Sequence, residues 1–253
     1  MLRISSMTET TQHSNKTAIV IGASGGIGRE LVLRLLQNPE FGKVFALSRT
    51  PFSSPVDDPR LVTAPIDLLS DQSISDIKEV VGDERLDLVI VATGLLHGED
   101  LAPEKSLKQL RSDASHQLFQ VNAVAPMLVA QQVIGNMPNS SRSVFAVLSA
   151  RVSSISDNRL GGWYSYRASK AALNMFLKTL AVETQRRQPG LIVAGLHPGT
   201  VSTALSKPFL SRVPDKGVFS PALAAEQLLA VIEKLGPEQS GKLFAWDGQE
   251  IEP

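Results

Sequence analysis

Tyr166 and Lys170 stand four residues apart in YSYRASKAALN, at the entry to an alanine- and leucine-rich stretch. In a helix that spacing puts both side chains on one face, one turn apart. An ammonium beside a phenol favours the phenolate and lowers the ordinary phenol pKa of about 10. A tyrosine tuned in this way can give a proton to a developing alkoxide or take one from an alcohol. The plain alternative is a packed tyrosine beside a solvated lysine, and the pair alone leaves both readings open. A second stretch with chemical potential lies near the N-terminus. Residues 16–28 read KTAIVIGASGGIG: a β-branched run closed by Gly22, Gly25, Gly26 and Gly28, with Ile27, Leu31, Leu35 and Leu36 following at helical spacing. Strand, glycine turn and helix in this order suit a dinucleotide pyrophosphate. Glycines let the backbone approach the phosphates, and the helix start offers free N–H groups and a positive dipole end. A tight turn that binds no nucleotide is the other reading.

The elements that must hold these residues follow from the hydrophobic pattern. Strands are expected at residues 17–21, 43–47, 61–66, 86–92, 143–148, 191–196 and 242–246. Helices are expected at 26–38, 73–81, 112–135 (interrupted near Pro126), 166–187 and 221–235. The alternation predicts an α/β fold: a single Rossmann-type domain with a doubly wound, mostly parallel seven-stranded sheet and helices on both faces. Residues 16–253 form this domain, and the polar residues 1–15 are expected to be a flexible tail. Ligands in such sheets lie beyond the carboxyl ends of the strands. That singles out Gly22–Gly28, Arg49, Asp67, Ala92–Gly94, Ser149 and Pro198-Gly199.

Composition narrows the function. The 253 residues are 43% hydrophobic, enough for a substantial core, and 25 basic residues balance 25 acidic ones. A net charge near zero gives no case for nucleic acid or an anionic membrane as partner. No cysteine is present, which removes disulfides and thiolate chemistry, fits a reducing compartment and leads to an expectation of cytoplasmic location. His13, His97, His116 and His197 show no metal-ligand spacing, so no metal site is expected. No run reads as a signal peptide or as the ~18 apolar residues of a membrane span.

Taken together, the motifs resemble the short-chain dehydrogenase/reductase family. GASGGIG matches its Gly-xxx-Gly-x-Gly fingerprint at Gly22, Gly26 and Gly28, and Tyr166-Arg-Ala-Ser-Lys170 matches its Tyr-xxx-Lys. Asn122, in VNAVAP, matches the catalytic asparagine, and Pro198-Gly199 with Val201 and Thr203 resembles the nicotinamide-side loop. GGWYSYRASKAALN is most similar to the subgroup that includes C-factor and Sniffer-like carbonyl reductases. The resemblance implies an oxidoreductase acting between a nicotinamide and a carbonyl or alcohol. Tyr166 would be the acid/base, Lys170 would hold the nicotinamide ribose and lower the tyrosine pKa, and Asn122 would hold a water of the proton relay. The cofactor set it implies is Gly22, Ser24, Gly25, Gly26, Ile27, Gly28, Ser48, Arg49, Asp67, Leu68, Ala92, Thr93, Gly94, Tyr166, Lys170, Pro198, Gly199, Val201 and Thr203. It also implies a homodimer or homotetramer.

One position departs from the pattern. The family carries a serine just after the fifth strand, and here that register falls on Ala150, in Ser149-Ala150-Arg151-Val152-Ser153. Ser149 would serve if the strand end shifts by one, and Ser153 would serve from the loop. With neither, the chain would be a nucleotide-binding signalling or regulatory protein with weak or no catalysis. Ser48-Arg49 stands where an acidic residue would bind ribose hydroxyls. A guanidinium there suits a 2′-phosphate, with the serine as a further donor, and favours NADP(H) over NAD(H). Residues 202–218, with Leu205, Pro208, Phe209, Leu210 and Val213, are expected to cover the substrate with Trp163 opposite. Those apolar walls suggest a neutral carbonyl compound. Lys207 and Arg212 are expected to be solvated.

Overall fold

The computed structural model describes residues 16–55, 57–212 and 217–253. The expected N-terminal tail and Val213 lie outside the described residues, as do the side chains of Ser211 and Arg212. Seven parallel strands form one sheet in the order β3-β2-β1-β4-β5-β6-β9. They are β1 (Lys16–Ile21), β2 (Phe41–Ser48), β3 (Leu61–Pro65), β4 (Leu88–Val91), β5 (Ser143–Leu148), β6 (Leu191–His197) and β9 (Lys242–Ala245). The central strands are apolar on both faces because helices cover both. In β1, Ala18 and Val20 face one layer while Ile19 and Ile21 face the other. On the first face lie α1 (Gly26–Gln37), through Leu31, Val32 and Leu35, and α7 (Pro221–Lys234), through Ala225, Leu228 and Ile232. The second face carries α2 (Asp71–Ser75), α3 (Ile77–Val81), α5 (Ala125–Val133) and α6 (Tyr164–Thr184), with Ile74, Ile77, Val129, Leu173 and Leu177 buried.

The strand order reverses between β1 and β4, both of which leave the sheet in the same direction. The crevice at that switch point is where an open parallel sheet accepts a ligand. Three local departures from the sequence expectation bear on it. The helix expected over 112–135 is α4 (Ser112–Phe119) joined to α5 through a widened π turn, Gln120–Val124, centred on Asn122. This helical run, Ser112–Asn136, is long and apolar enough by composition to cross a bilayer, against the expectation that no run in the sequence is. Its apolar residues Ala125, Val129, Ala130 and Val133 are buried in the core. Helix α6 starts two residues before Tyr166, at Tyr164. The segment after β6 holds a short parallel pair, β7 (Thr200–Val201) and β8 (Val218–Phe219), and a 3-10 turn over Lys207–Arg212.

Candidate active site

A cleft of about 320 Å³ opens at the switch point. Its floor is the turn after β1. Gly22 has φ +88°, and a Cβ there would sit 2.8 Å from the Thr93 methyl and 3.1 Å from Ala92 C. At Gly28 a Cβ would come within 2.2 Å of Gly22 O, so only glycine lets α1 start this close under the turn. Helix α1 has no side-chain cap at Gly25, which leaves its first N–H groups for a ligand. Ser24 and Gly25 line the cleft; Gly26 and Ile27 do not, and Ile27 packs into the core. The far wall comes from Asp67 and Leu68 after β3, and the near wall from Ala92, Thr93 and Gly94 after β4. Arg49 lines the cleft, is exposed, and has no hydrogen bond or ion pair with another described residue. Ser48 is buried, and its hydroxyl donates to Thr50 O at 2.7 Å, so it is not the further donor expected from its position. Thr50, Ile66, Leu69, Leu95, Gln117 and Val121 also line the cleft. None of these was singled out from sequence. Val121, next to Asn122, and Gln117, four residues before Val121, are the two that spacing could have found.

The inner end of the cleft reaches the polar core of the site. A Cβ placed on Gly94 would lie 3.9 Å from both Asn122 Oδ1 and Lys170 Nζ. Asn122 is 1% exposed and its side chain is fully engaged. Oδ1 accepts from Leu95 N at 2.8 Å, and Nδ2 donates to Leu95 O at 2.8 Å and Ser169 Oγ at 3.1 Å. The amide thus clamps the loop after β4 to α6. Lys170 Nζ donates to Leu148 O, the last carbonyl of β5, at 2.7 Å. Tyr166, 7% exposed, lies in an apolar cluster with Leu96, Leu101, Leu118 and Ala150. Trp163 meets the Tyr166 ring edge-on at 6.0 Å, and Phe209 packs at 5.1 Å on Trp163 and 5.7 Å on His97. His97 Nε2 donates to Leu205 O at 3.1 Å. Leu205 Cδ1 is 3.7 Å from the Gly94 Cβ position. The loop after β6 therefore closes over Tyr166, as expected for Leu205 and Phe209, and Lys207 is exposed. Thr203 packs its methyl against Gly26, Val201 is buried, and Gly199 sits under Phe219 and Trp246. Pro198 follows His197, whose ring is held down to about 4 by burial first and by Arg151 next, with Asp247 opposing.

The two candidate serines face a different partner from Tyr166. Ser149 Oγ donates to Asn174 Oδ1 at 2.7 Å, Asn174 Nδ2 donates to Ser153 Oγ at 2.7 Å, and Ser153 Oγ donates to Ala150 O at 2.5 Å. Both hydroxyl protons are spent within this chain of bonds. Ala150, 8% exposed, is the residue that shares the apolar cluster with Tyr166.

Burial governs both titratable groups. It pushes the Tyr166 phenol up to about 12 and the Lys170 ammonium down to about 7. The lowering of the tyrosine expected from its lysine is thus not the dominant effect: burial outweighs it. A stability signature follows. Between about pH 7 and 10.5 the unfolded chain keeps a proton on Lys170 that the folded chain has lost. Stability therefore rises with pH across that window, by about 1 kcal/mol per pH unit from this group. Tyr166 has the opposite sign and acts only from about pH 10 to 12. Urea unfolding at pH 7 and pH 9 should show the unchanged protein gaining on Lys170→Met; equal slopes would contradict a buried neutral lysine. Among the described residues no group of three or more His, Asp or Glu is placed to hold a metal.

Residues 16–213 match the family model described as short chain dehydrogenase. The chain is 33% identical over 133 residues to C-signal of Myxococcus xanthus, covering 53% of this chain and 75% of that protein. The fold matches NADPH-bound carbonyl reductase from chicken fatty liver with a TM-score of 0.80 at 24% identity, covering 94% of this chain and 99% of that one. It matches the carbonyl reductase Sniffer of D. melanogaster with a TM-score of 0.77 at 23% identity, covering 95% and 100%. With about four fifths of its length matched by that model, the chain belongs to the short chain dehydrogenase family, whose members are NAD(P)-dependent oxidoreductases.

Proposed function

We propose that the protein is an NADP(H)-dependent reductase or dehydrogenase acting on a neutral, apolar carbonyl or alcohol, with Tyr166 as its acid/base. The observation that carries this reading is the meeting at Gly94 of the cleft's inner end with Lys170 Nζ and Asn122. The uncapped start of α1 and the Cβ-free turn suit the pyrophosphate, Arg49 the 2′-phosphate, Asp67 and Leu68 the adenine side, and Lys170 the ribose next to the nicotinamide. When bound, the dinucleotide supplies the hydride. Tyr166 gives its proton to the carbonyl oxygen as negative charge develops there. Protonated Lys170 stabilises the resulting phenolate, and the low ammonium pKa lets it pass a proton on near neutral pH. The widened turn at Asn122 departs from the regular helical ladder, and its main chain would hold the water that restores the proton, while its side chain fixes the loop after β4. Leu205, Phe209 and Trp163 exclude bulk water. Exposed Met175, Phe176 and Val182 on α6 support self-association as a homodimer or homotetramer. The decisive test is a fluorescence titration with NADPH followed by a screen of ketones and aldehydes. Lack of saturable NADPH binding would end this reading.

Arg49 carries the cofactor preference. A guanidinium–phosphate contact is worth about 1.5–3 kcal/mol. Arg49→Glu should weaken NADPH roughly ten- to a hundredfold while NADH binding holds or improves. Equal losses for both nucleotides would instead assign Arg49 to the adenine.

A second reading is supported by the engaged protons of Ser149 and Ser153. With Ala150 beside Tyr166, the protein would keep nucleotide binding and turn over slowly, as a regulator that reads the bound nucleotide.

A further inference from the structure

Glu104 lies in the loop between β4 and α4 and is 4% exposed. A carboxylate so buried is costly unless its oxygens are bonded. Its partners all stand at the start of α6. Both oxygens lie 3.3 Å from Ser165 N, and Oε1 accepts from Ser165 Oγ. Ser165 Oγ is also 2.8 Å from Ser115 Oγ on α4. The main-chain carbonyl of Glu104 accepts from Trp163 N at 2.5 Å. Helix α6 has no side-chain cap of its own at Trp163, so a residue distant in sequence supplies the acceptor that a capping side chain usually provides. Negative charge there also complements the helix dipole. Ser165 is the second residue of α6, and Tyr166 is the third.

The same contacts hold an unusual backbone. Trp163, at φ 52° and ψ 43°, is the only non-glycine residue with positive φ among those described. A tryptophan in the left-handed region persists only where its surroundings fix it, and such outliers gather at functional sites. Here Glu104 O takes its N–H, and Arg167 bonds Gly162 O at 3.1 Å and Val152 O at 3.2 Å on the other side of the turn. The result is an indole wedged between the Tyr166 and Phe209 rings.

We infer that Glu104 is a positioning residue for the catalytic centre: it fixes the first turn of α6, and through Ser165 and Trp163 it sets where the Tyr166 phenol and the aromatic wall stand. This rests on the proposed role of Tyr166, and Glu104 itself touches neither cofactor nor substrate. Glu104→Ala should lower kcat roughly ten- to a hundredfold, the scale of a small misplacement of a reacting group, with NADPH affinity unchanged. Glu104→Gln keeps the shape and one acceptor oxygen and should recover most of the loss. One arm needs no turnover. In a Trp246→Phe background Trp163 is the sole tryptophan. Its emission should move to the red and quench more readily in Glu104→Ala, and return in Glu104→Gln. Should Glu104→Ala not fold, Glu104→Asp, which draws the carboxylate back by one methylene, carries the same readouts. Unmoved Trp163 emission in the variant, or a loss of kcat that glutamine does not rescue, overturns the inference. If the unchanged protein binds no NADPH, the oxidoreductase reading falls instead, and the emission arm still decides on Glu104.

Discussion

Tyr166→Phe should lower kcat by about 10²–10⁴, the usual contribution of a positioned general acid, with NADPH affinity unchanged. The substitution removes one oxygen and keeps the ring. The edge-on contact with Trp163 and the packing against Leu96, Leu118 and Ala150 all survive. The phenol lies in an apolar cluster where burial alone raises its pKa to about 12. Removing a buried hydroxyl from such surroundings costs little stability, so lost turnover cannot be assigned to unfolding if the melting temperature holds. The measurement is steady-state carbonyl reduction with NADPH, alongside thermal melting and NADPH titration. Turnover within tenfold of the unchanged protein would remove Tyr166 from the mechanism and point to acid catalysis by water. The pH behaviour should differ as well. Lys170, with its pKa down to about 7, loses its charge as pH rises through neutrality, so phenolate stabilisation weakens and reduction slows above that point. In Tyr166→Phe the residual rate should lose this dependence.

The parts of this site that local spacing encodes were legible before the fold. The β-branched run of β1, the glycines behind it and the four-residue step from Tyr166 to Lys170 each describe an element and what it presents. Strand–helix alternation likewise implied the seven-stranded parallel sheet, and the sheet implied its ligand edge. The substrate loop was legible in kind, since Leu205 and Phe209 do pack with Trp163 around Tyr166. What stayed hidden depends on partners far apart in the chain. Ser48, Ser149 and Ser153 look like free donors in sequence, and in the fold each spends its proton on Thr50, Asn174 or Ala150. Glu104 reads as one more polar loop residue until the fold brings it under Ser165, 61 positions away. The left-handed Trp163 breaks the preference of its residue type, and the π turn at Asn122 leaves no mark in a periodic apolar pattern. Such local violations are expected where a fold serves a site.

Ala150→Ser should raise kcat/KM by roughly ten- to a hundredfold. A hydrogen-bond donor aimed at a developing oxyanion is worth about 2.7–4 kcal/mol, or 10²–10³ in rate, and an introduced hydroxyl recovers only part of that because its geometry is not optimised. Ala150 stands two residues beyond β5 in extended backbone, with φ −152° and ψ 145°, and shares its cluster with Tyr166. A serine there would place its Oγ on the wall where neither native serine has a proton to give. The new hydroxyl enters apolar surroundings, so a small loss of stability should accompany the gain: about 1–3 kcal/mol if it stays unpaired, less where Tyr166 accepts its bond. The two effects separate cleanly in a comparison of kcat/KM, NADPH affinity and melting temperature. A large gain would mean that the native centre is a complete proton-transfer pair running without its second donor, which accommodates a slow enzyme or a nucleotide-reading regulator. No gain, with the serine folded in and NADPH bound as before, would mean that the carbonyl oxygen already has its second donor. The chain's own preference for alanine would then be a matter of pocket shape: one less polar atom facing an apolar substrate held between Trp163 and Phe209.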